Sequence, residues 1–483
     1  MASGLLAAGM CAGLSLSLAY VCTIVPVLAC ALALHLIHAG KKVRNEIFRF
    51  AMFAAGFTLG GAHWIGLAIY RPPANGLMDT ALLCTVLLGL VALVHIALFT
   101  AVRLAVAGVS ARPGPVLLAF CVALAWSLAE LLCSVGSLSF PWGALGCGQI
   151  DNPILSGLYP IIGSVGVSGA TWLLAAFFAG VYRSLPRPGA QVGWGIALVV
   201  AAWATRFVSW TAPIDTPLTV RVVHTDWPEE IKYAPKNQLA SLALLRSQAQ
   251  SGGADLVVFP ELFLTQRPGR LPISYRQDVV QAVKQSGTAV LFGVPGLALL
   301  SGDETPVNQN TLVLIDKAGR TSIYAKEILL PFSEYFPETA MLRWAYPFLY
   351  RYPLANLQAG ATQQEVMRVK GIALGITICS ELAYPGKAAT QAANAAILVN
   401  ASSDSWVNSR FYLLQAQTIA RVRAAEAQKP LIRANNVGPS AFISADGTVV
   451  SDLHGMFGHS DLQVRGRTGR TPFVRVASML FRS

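Results

Sequence analysis

The chain is 483 residues long, 54% hydrophobic and only 12% charged, with a formal net charge of +12. Soluble domains carry about 25% charged residues, so this composition excludes an ordinary soluble enzyme and excludes intrinsic disorder. Many of the basic residues sit in short gaps between apolar runs rather than on one polar face, which argues against nucleic-acid binding and for membrane topology.

Residues 1–216 hold 10 Lys+Arg and 5 Asp+Glu, and residues 217–483 hold 26 and 19. The first part reads as a transmembrane domain and the second as a soluble one, joined by a Pro-bearing linker at Thr211–Pro217. A bilayer crossing takes about 20 apolar residues. The uncharged run Gly4–Gly40 is long enough for two crossings, with a break expected near Tyr20 to Pro26. Ala51–Tyr70, Ala81–Val102, Pro115–Ser134, Gly157–Tyr182 and Val192–Trp210 bring the expected number to about seven. Basic residues mark alternate gaps: Lys41, Lys42, Arg44 and Arg49, then Arg103 and Arg112, then Arg183 and Arg187. The intervening gaps hold only Arg71. The positive-inside rule puts the marked gaps in the cytoplasm and the soluble domain outside it, in the periplasm of a bacterium. Trp64, Trp126 and Trp142 are expected as interfacial anchors, and Glu130, inside an apolar stretch, as a structural group.

The soluble part alternates short strands and helices. Strands are expected at Thr219–Thr225, Asp255–Phe259, Ala289–Val294, Ala395–Asn400, Leu431–Asn435 and Ala441–Ser444. Gln309–Ile315 and Ser322–Ala325 form a hairpin, and Val366–Ile378 is rich in strand formers. Helices are expected at Lys236–Gln250, Arg276–Gln285 and Arg410–Gln428. The alternation predicts an α/β layered domain without giving its strand order.

Three strand ends carry chemistry. Glu261 follows Phe259-Pro260 and has the position of a general base. Lys326 follows Tyr324-Ala325, can stabilise oxyanion charge, and has Glu334 eight residues on. Cys379 ends the run Gly375–Ile378 and is the only one of eight cysteines beyond residue 216, so the soluble domain has no internal disulfide. No His lies near it in sequence, so a carboxylate would take the thiol proton while a lysine favours the thiolate. No metal site and no cofactor are expected.

Glu261, Lys326 and Cys379, each after a strand and in this order, resemble the Glu-Lys-Cys triad of the nitrilase (carbon–nitrogen hydrolase) superfamily. The membrane block narrows the resemblance to the apolipoprotein N-acyltransferases. Gly60-Gly-Ala-His-Trp64, Glu130, Phe140-Pro-Trp-Gly143 and Gly148-Gln149 carry it there. Pro331-Phe332-x-Glu334, Asn400-Ala-Ser-Ser-Asp404-Ser-Trp406, Arg421-Val-Arg423, Glu426 and Arg433-Ala-Asn435-Asn436-x-Gly438 carry it in the soluble half. The resemblance implies a multi-pass α-helical protein of the bacterial inner membrane with a periplasmic αββα sandwich. It implies an acyl donor, usually phosphatidylethanolamine, and a diacylglyceryl apolipoprotein as acceptor. Cys379 would be the nucleophile, Glu261 the proton acceptor and Lys326 the oxyanion stabiliser; Glu334 would support the triad and Glu381 the site wall. The expected division is 1–216 transmembrane, 217–460 catalytic and 461–483 a basic tail where the family has a last membrane helix. A monomer is expected, without nucleic acid.

The chain departs from the family pattern at His224-Thr-Asp-Trp227, Ser333, Ser380, Ser402–Asp404, Val407 and Gln415 or Gln417, positions that line or neighbour the pocket. Two other readings are therefore carried: a membrane-tethered acyltransferase or amidase with another acceptor, and a non-catalytic envelope or conjugation scaffold. The aromatic-rich segment Glu338–Leu357 is the expected mobile arm over the pocket.

Overall fold

The computed structural model describes residues 1–17, 23–40, 42–70, 76–108, 110, 113–184, 188–267, 271, 273–298, 307–337, 356–407 and 409–481. The chain divides into two units, Met1–Ser209 with Val407–Val422, and Trp210–Trp406 with Arg423–Ser483.

The first unit is helical. Its main helices are Ala2–Leu14, Ile24–His38, Val43–Ala62, Leu77–Ala107, Pro115–Leu132, Tyr159–Phe178 and Pro188–Ala204. Among the described residues, three stretches are long and apolar enough to cross a membrane: Leu77–Ala107, Pro115–Leu132 and Ser156–Phe178. Ala2–Ser17 and Ile24–His38 are shorter apolar helices. The expected break near Tyr20 to Pro26 lies largely outside the described residues, which stop at Ser17 and resume at Thr23; Pro26 itself lies in the first turn of the helix that starts at Ile24. The helices at 2–14 and 43–62 approach closely through glycine. A Cβ on Gly9 or Gly13 would meet the carbonyl oxygens of Phe53 and Phe57 at 2.2 and 2.3 Å, so only glycine lets the two backbones touch.

Several polar groups inside this unit are paired. Arg103, taken from the sequence as a cytoplasmic marker, is fully buried and its Nε donates to Glu46 at 2.6 Å. Lys41, Arg71, Arg112 and Arg187 lie outside the described residues. Glu130 accepts from Trp126 Nε1 and from the Leu145 amide, both at 2.8 Å, and from the Ser168 hydroxyl. The three tryptophans are not interfacial anchors. Trp126 is buried among Phe50, Phe53, Phe57 and Trp172. Trp64 and Trp142 are buried against Tyr412, and Trp64 Nε1 donates to Gln415 at 2.9 Å.

The second unit is a sandwich of two six-stranded sheets. Its strands are β1 (Thr211–Pro213), β2 (Leu218–His224), β3 (Leu256–Val258), β4 (Ala289–Ala298), β5 (Val307–Ile315), β6 (Thr321–Ala325), β7 (Arg368–Val369), β8 (Ile372–Ile378), β9 (Ile397–Ser402), β10 (Leu431–Asn435), β11 (Ser440–Ile443), β12 (Val449–Leu453), β13 (Gly458–Val464) and β14 (Arg467–Gly469). One sheet has the order β13-β2-β3-β4-β5-β6 and the other β12-β11-β10-β9-β8-β7. Each has three parallel strands at its centre, β2-β3-β4 and β8-β9-β10. The sheets face each other through alternate residues: Val220, Val222, Leu256, Val258 and Leu291 from one, and Leu374, Ile376, Ile397, Val399 and Ile432 from the other. The opposite residues of the first sheet, Val223, Val257, Phe259, Val290 and Phe292, pack with Leu245, Val279 and Val283 of helices Pro235–Gln250 and Ile273–Ser286. Period two in the strands therefore builds both the central core and one outer layer. Helix Pro385–Asn394 covers β8 and packs against helix Pro472–Leu480.

Two stretches read from the sequence as unstructured are not. The linker at Thr211 is β1, paired antiparallel with β14. The segment read as a basic tail supplies most of β13, all of β14 and the final helix, in which Val474, Ala477 and Ser478 are buried.

Candidate active site

Glu261, Lys326 and Cys379 stand just beyond the ends of β3, β6 and β8. Glu261 and Lys326 come from one sheet and Cys379 from the other. All three are buried, at 5%, 1% and 9% exposure. The Asn310 side chain of β5 donates to Glu261 Oε1 at 2.6 Å. Gly293 of β4 lets this turn in close, because a Cβ there would lie 2.2 Å from the Leu262 nitrogen. Lys326 Nζ donates to both Glu334 oxygens, at 2.8 and 2.7 Å. Glu334 is held in turn by the Leu330 amide at 2.7 Å.

Cys379 has φ 48°, left-handed backbone that costs a side-chain-bearing residue about 1–3 kcal/mol. It opens the short turn Cys379–Ala383 after a fully buried strand. Glu381 holds that turn. Its buried carboxylate accepts from the amides of Ile378 (2.7 Å), Glu327 (2.7 Å) and Ile328 (3.1 Å), and from the Tyr324 hydroxyl (3.1 Å). One carboxylate thus joins the Cys379 turn to the loop that follows Lys326. Behind the turn, Asn400 Nδ2 donates to the Cys379 carbonyl at 3.4 Å. Asn400 accepts from Arg433, which pairs with buried Asp404 at 2.6 Å.

The charges in this cluster act on one another. Burial, then Glu261, pushes the Cys379 thiol well up, and Lys326 opposes them. Burial, then Glu334, raises the Glu261 carboxyl, while Lys326, Lys232 and the Asn310 bond lower it. Burial alone would lower Lys326, but Glu334, Cys379 and Glu261 outweigh it and hold the ammonium above its ordinary range. Burial and the neighbouring charges thus displace all three groups from their ordinary values. A carboxyl made more basic near a buried thiol and a lysine has the chemistry of a base and a nucleophile.

Two family models match this chain. The apolipoprotein N-acyltransferase N-terminal domain matches residues 3–177, and carbon-nitrogen hydrolase matches residues 219–458. An apolipoprotein N-acyltransferase of Coxiella burnetii is 28% identical over 445 residues, 88% of this chain and 86% of that protein. One of Azotobacter vinelandii is 32% identical over 350 residues; the match takes in 70% of this chain and spans 65% of that relative's length. An amidase from Nesterenkonia sp. aligns in structure over 55% of this chain and 96% of its own, at 18% identity and a TM-score of 0.36.

The chain belongs to the apolipoprotein N-acyltransferase family.

Beside the residues that carry the family resemblance, the cluster contains a lysine that sequence reasoning missed. Lys232, in the short helix Glu229–Lys232 after β2, is 3% exposed. Its ammonium donates to the Glu261 carbonyl at 3.0 Å and to Ser403 Oγ at 2.6 Å. Burial lowers it to about 8, against the pull of Glu261 and Cys379. In sequence it follows Glu229-Glu230-Ile231 and looks like a solvated helix end; its only signal is its place just after a strand. At the departures from the family pattern, His224 Nδ1 lies 3.0 Å from Ser440 Oγ, and Ser403 and Asp404 belong to the Lys232 and Arg433 bonds just described. Ser380 is 1% exposed and its hydroxyl has no hydrogen-bond partner among the described residues. The proposed arm lies almost wholly outside the described residues, which resume at Asn356. Leu357 there donates its amide to the Glu334 carbonyl at 2.8 Å.

Proposed function

We propose that this protein is a phospholipid:apolipoprotein N-acyltransferase of the bacterial inner membrane. Its second unit would face the periplasm, as the asymmetry of basic residues suggests. Glu261 takes the proton of the Cys379 thiol. The thiolate attacks the ester carbonyl of a phospholipid, for which phosphatidylethanolamine is the expected donor. Lys326, held by Glu334, faces the charge that develops on the carbonyl oxygen. The C–O bond breaks, the lysophospholipid leaves with the proton from Glu261, and the acyl chain remains as a thioester on Cys379. The α-amino group of a diacylglyceryl-cysteine then attacks the thioester and gives its proton to Glu261. An amide forms, the C–S bond breaks, and the thiol is restored. No cofactor or metal enters either half-reaction, and the kinetics are ping-pong.

One observation carries this reading: buried Glu261, Lys326 and Cys379, with Glu334 paired to Lys326, in a chain whose other half matches the family's N-terminal domain. The test is intact-protein mass spectrometry of the detergent-purified protein after incubation with phosphatidylethanolamine, then with a diacylated lipopeptide. A hydroxylamine-labile acyl mass on Cys379 that moves to the lipopeptide amine is the expected result. An acyl mass lost only to water would point to the amidase-like alternative, and no acyl mass on a folded protein would refute both.

A further inference from the structure

The second unit contains a cavity of about 550 Å³ whose walls include none of the residues around Cys379. It lies at the β7–β8 turn, the start of β9 and the β14 edge. Among the described residues five cations line it, Arg368, Lys370, Lys429, Arg467 and Arg470, and no carboxylate does. Its size is in the range of small-molecule sites.

These cations are fixed in place. Arg470 Nε donates to the Ala393 carbonyl at 2.7 Å and its Nη2 to Asn394 at 3.1 Å. Arg467 Nε donates to Thr211 Oγ1 at 2.7 Å. Lys429, 2% exposed, donates to the carbonyls of Ala392 and Ala395. Arg368 Nη1 donates to the Gly371 carbonyl at 3.1 Å. Lys370 pairs with Asp255, a carboxylate that is not part of the wall. Burial, then the charge of Arg470, lowers Lys429 to about 8. Arg368, Arg467, Lys429 and Arg470 are held here by neutral oxygens, and Lys370 by Asp255. An oxyanion would relieve the repulsion between Arg470 and Lys429 and accept charge-assisted bonds from the guanidinium groups, which suit phosphate geometry.

We propose that this cavity binds a phosphate-bearing group, either the headgroup of an anionic phospholipid or a free phosphate compound. The site is independent of the chemistry at Cys379.

The experiment uses the full chain purified in detergent. Inorganic phosphate is titrated by calorimetry, and phosphatidylglycerol retained from mixed micelles is counted by native mass spectrometry. Arg368→Gln/Arg470→Gln is compared with Lys284→Gln, a cation outside the walls. Each lost charge-assisted bond should weaken binding about tenfold, while the control binds as the parent does. Retention of phosphatidylglycerol without affinity for phosphate identifies a lipid headgroup site, and affinity for both identifies a general phosphate site. Acylation of Cys379 and the melting temperature check the fold. Exposed Arg368→Gln alone serves if the double variant does not fold. Binding of neither probe by the parent, or equal binding by parent and wall variants, overturns the proposal.

Discussion

Replacing Glu334 with Gln tests the proposed role of Lys326 most directly. The Lys326 side chain is 1% exposed and that of Glu334 14%, and the ammonium contacts both carboxylate oxygens. Removing one partner of a buried pair costs about 3–5 kcal/mol. The Gln amide oxygen keeps one acceptor for the Leu330 amide or Lys326, and Glu261 still favours the charged lysine. The loss should therefore fall near the lower end, about 3 kcal/mol. Misplacing one oxyanion donor slows acyl transfer about 10²–10³-fold, and thioester formation on Cys379 should fall by that factor. The pH dependence has a definite sign. Lys326 is raised above its ordinary value, so its stabilisation is complete below the ordinary lysine range and is lost only as pH climbs through the raised value. Without Glu334, burial weighs more, the lysine value falls, and the alkaline limb of the rate profile should move to lower pH. The assay is the rate of appearance of the hydroxylamine-labile acyl mass between pH 6 and roughly 10, with a thermal melt alongside. A Gln variant that acylates within about threefold of the parent, with no alkaline limb entering that range, would refute the argument that Glu334 holds Lys326 for catalysis.

Three further outcomes are expected. Lys232→Met removes a cation that lowers Glu261, so the acid limb of kcat/KM for acylation should shift to higher pH; an unshifted limb would leave Lys232 a purely structural tie. Ser380→Ala deletes a buried hydroxyl without a partner among the described residues, so the melting temperature should hold or rise. A simultaneous fall in kcat/KM would mean that the hydroxyl meets substrate. Glu381→Gln keeps shape but removes the charge that gathers three amides and the Tyr324 hydroxyl. Cys379 acylation should drop about 10²-fold or more, because loss of charge-assisted bonds worth about 1.5–3 kcal/mol each loosens the turn; unchanged kinetics would show that the turn holds itself.

The sandwich was legible because each strand writes its own pattern. Val220 and Val222 face one layer and Val223 another, and the same alternation in β3 and β4 fixes a two-sided sheet. Local signals do not say which strands pair. β13 is far along the chain from β2 and alternates exposed with part-buried residues, so nothing local marks it as the neighbour of a buried strand. β1 and β14 are three residues each, too short for periodicity, and their pairing turns an apparent linker and an apparent tail into one ribbon. Glu261, Lys326 and Cys379 could be singled out because each follows an apolar strand. Lys232 follows a strand too, but two glutamates and a proline surround it, and what removes it from water is a serine 171 residues away.

The helical unit shows why composition reads extent better than environment. Apolar runs located the helices, yet a run of Leu, Ala and Val looks the same whether it meets lipid or protein. Trp126 and Trp64 were expected at a headgroup boundary because their rings are amphipathic. In the fold their polar atoms already have partners: Trp126 donates to Glu130 and Trp64 to Gln415, the latter 351 residues away. Arg103 was taken as a topology marker, but Glu46, from another helix, is its buried counter-ion. A charge that has a partner within the protein says little about which side of a membrane it prefers. The orientation argument therefore weighs most on Lys42, Arg44 and Arg183, which the structure does not bury. Reversing the charge of those three, with a reporter fused near residue 230, is the sharper test of which compartment receives Cys379. If the reporter stays on the same side after the reversal, charge asymmetry does not set the topology of this chain.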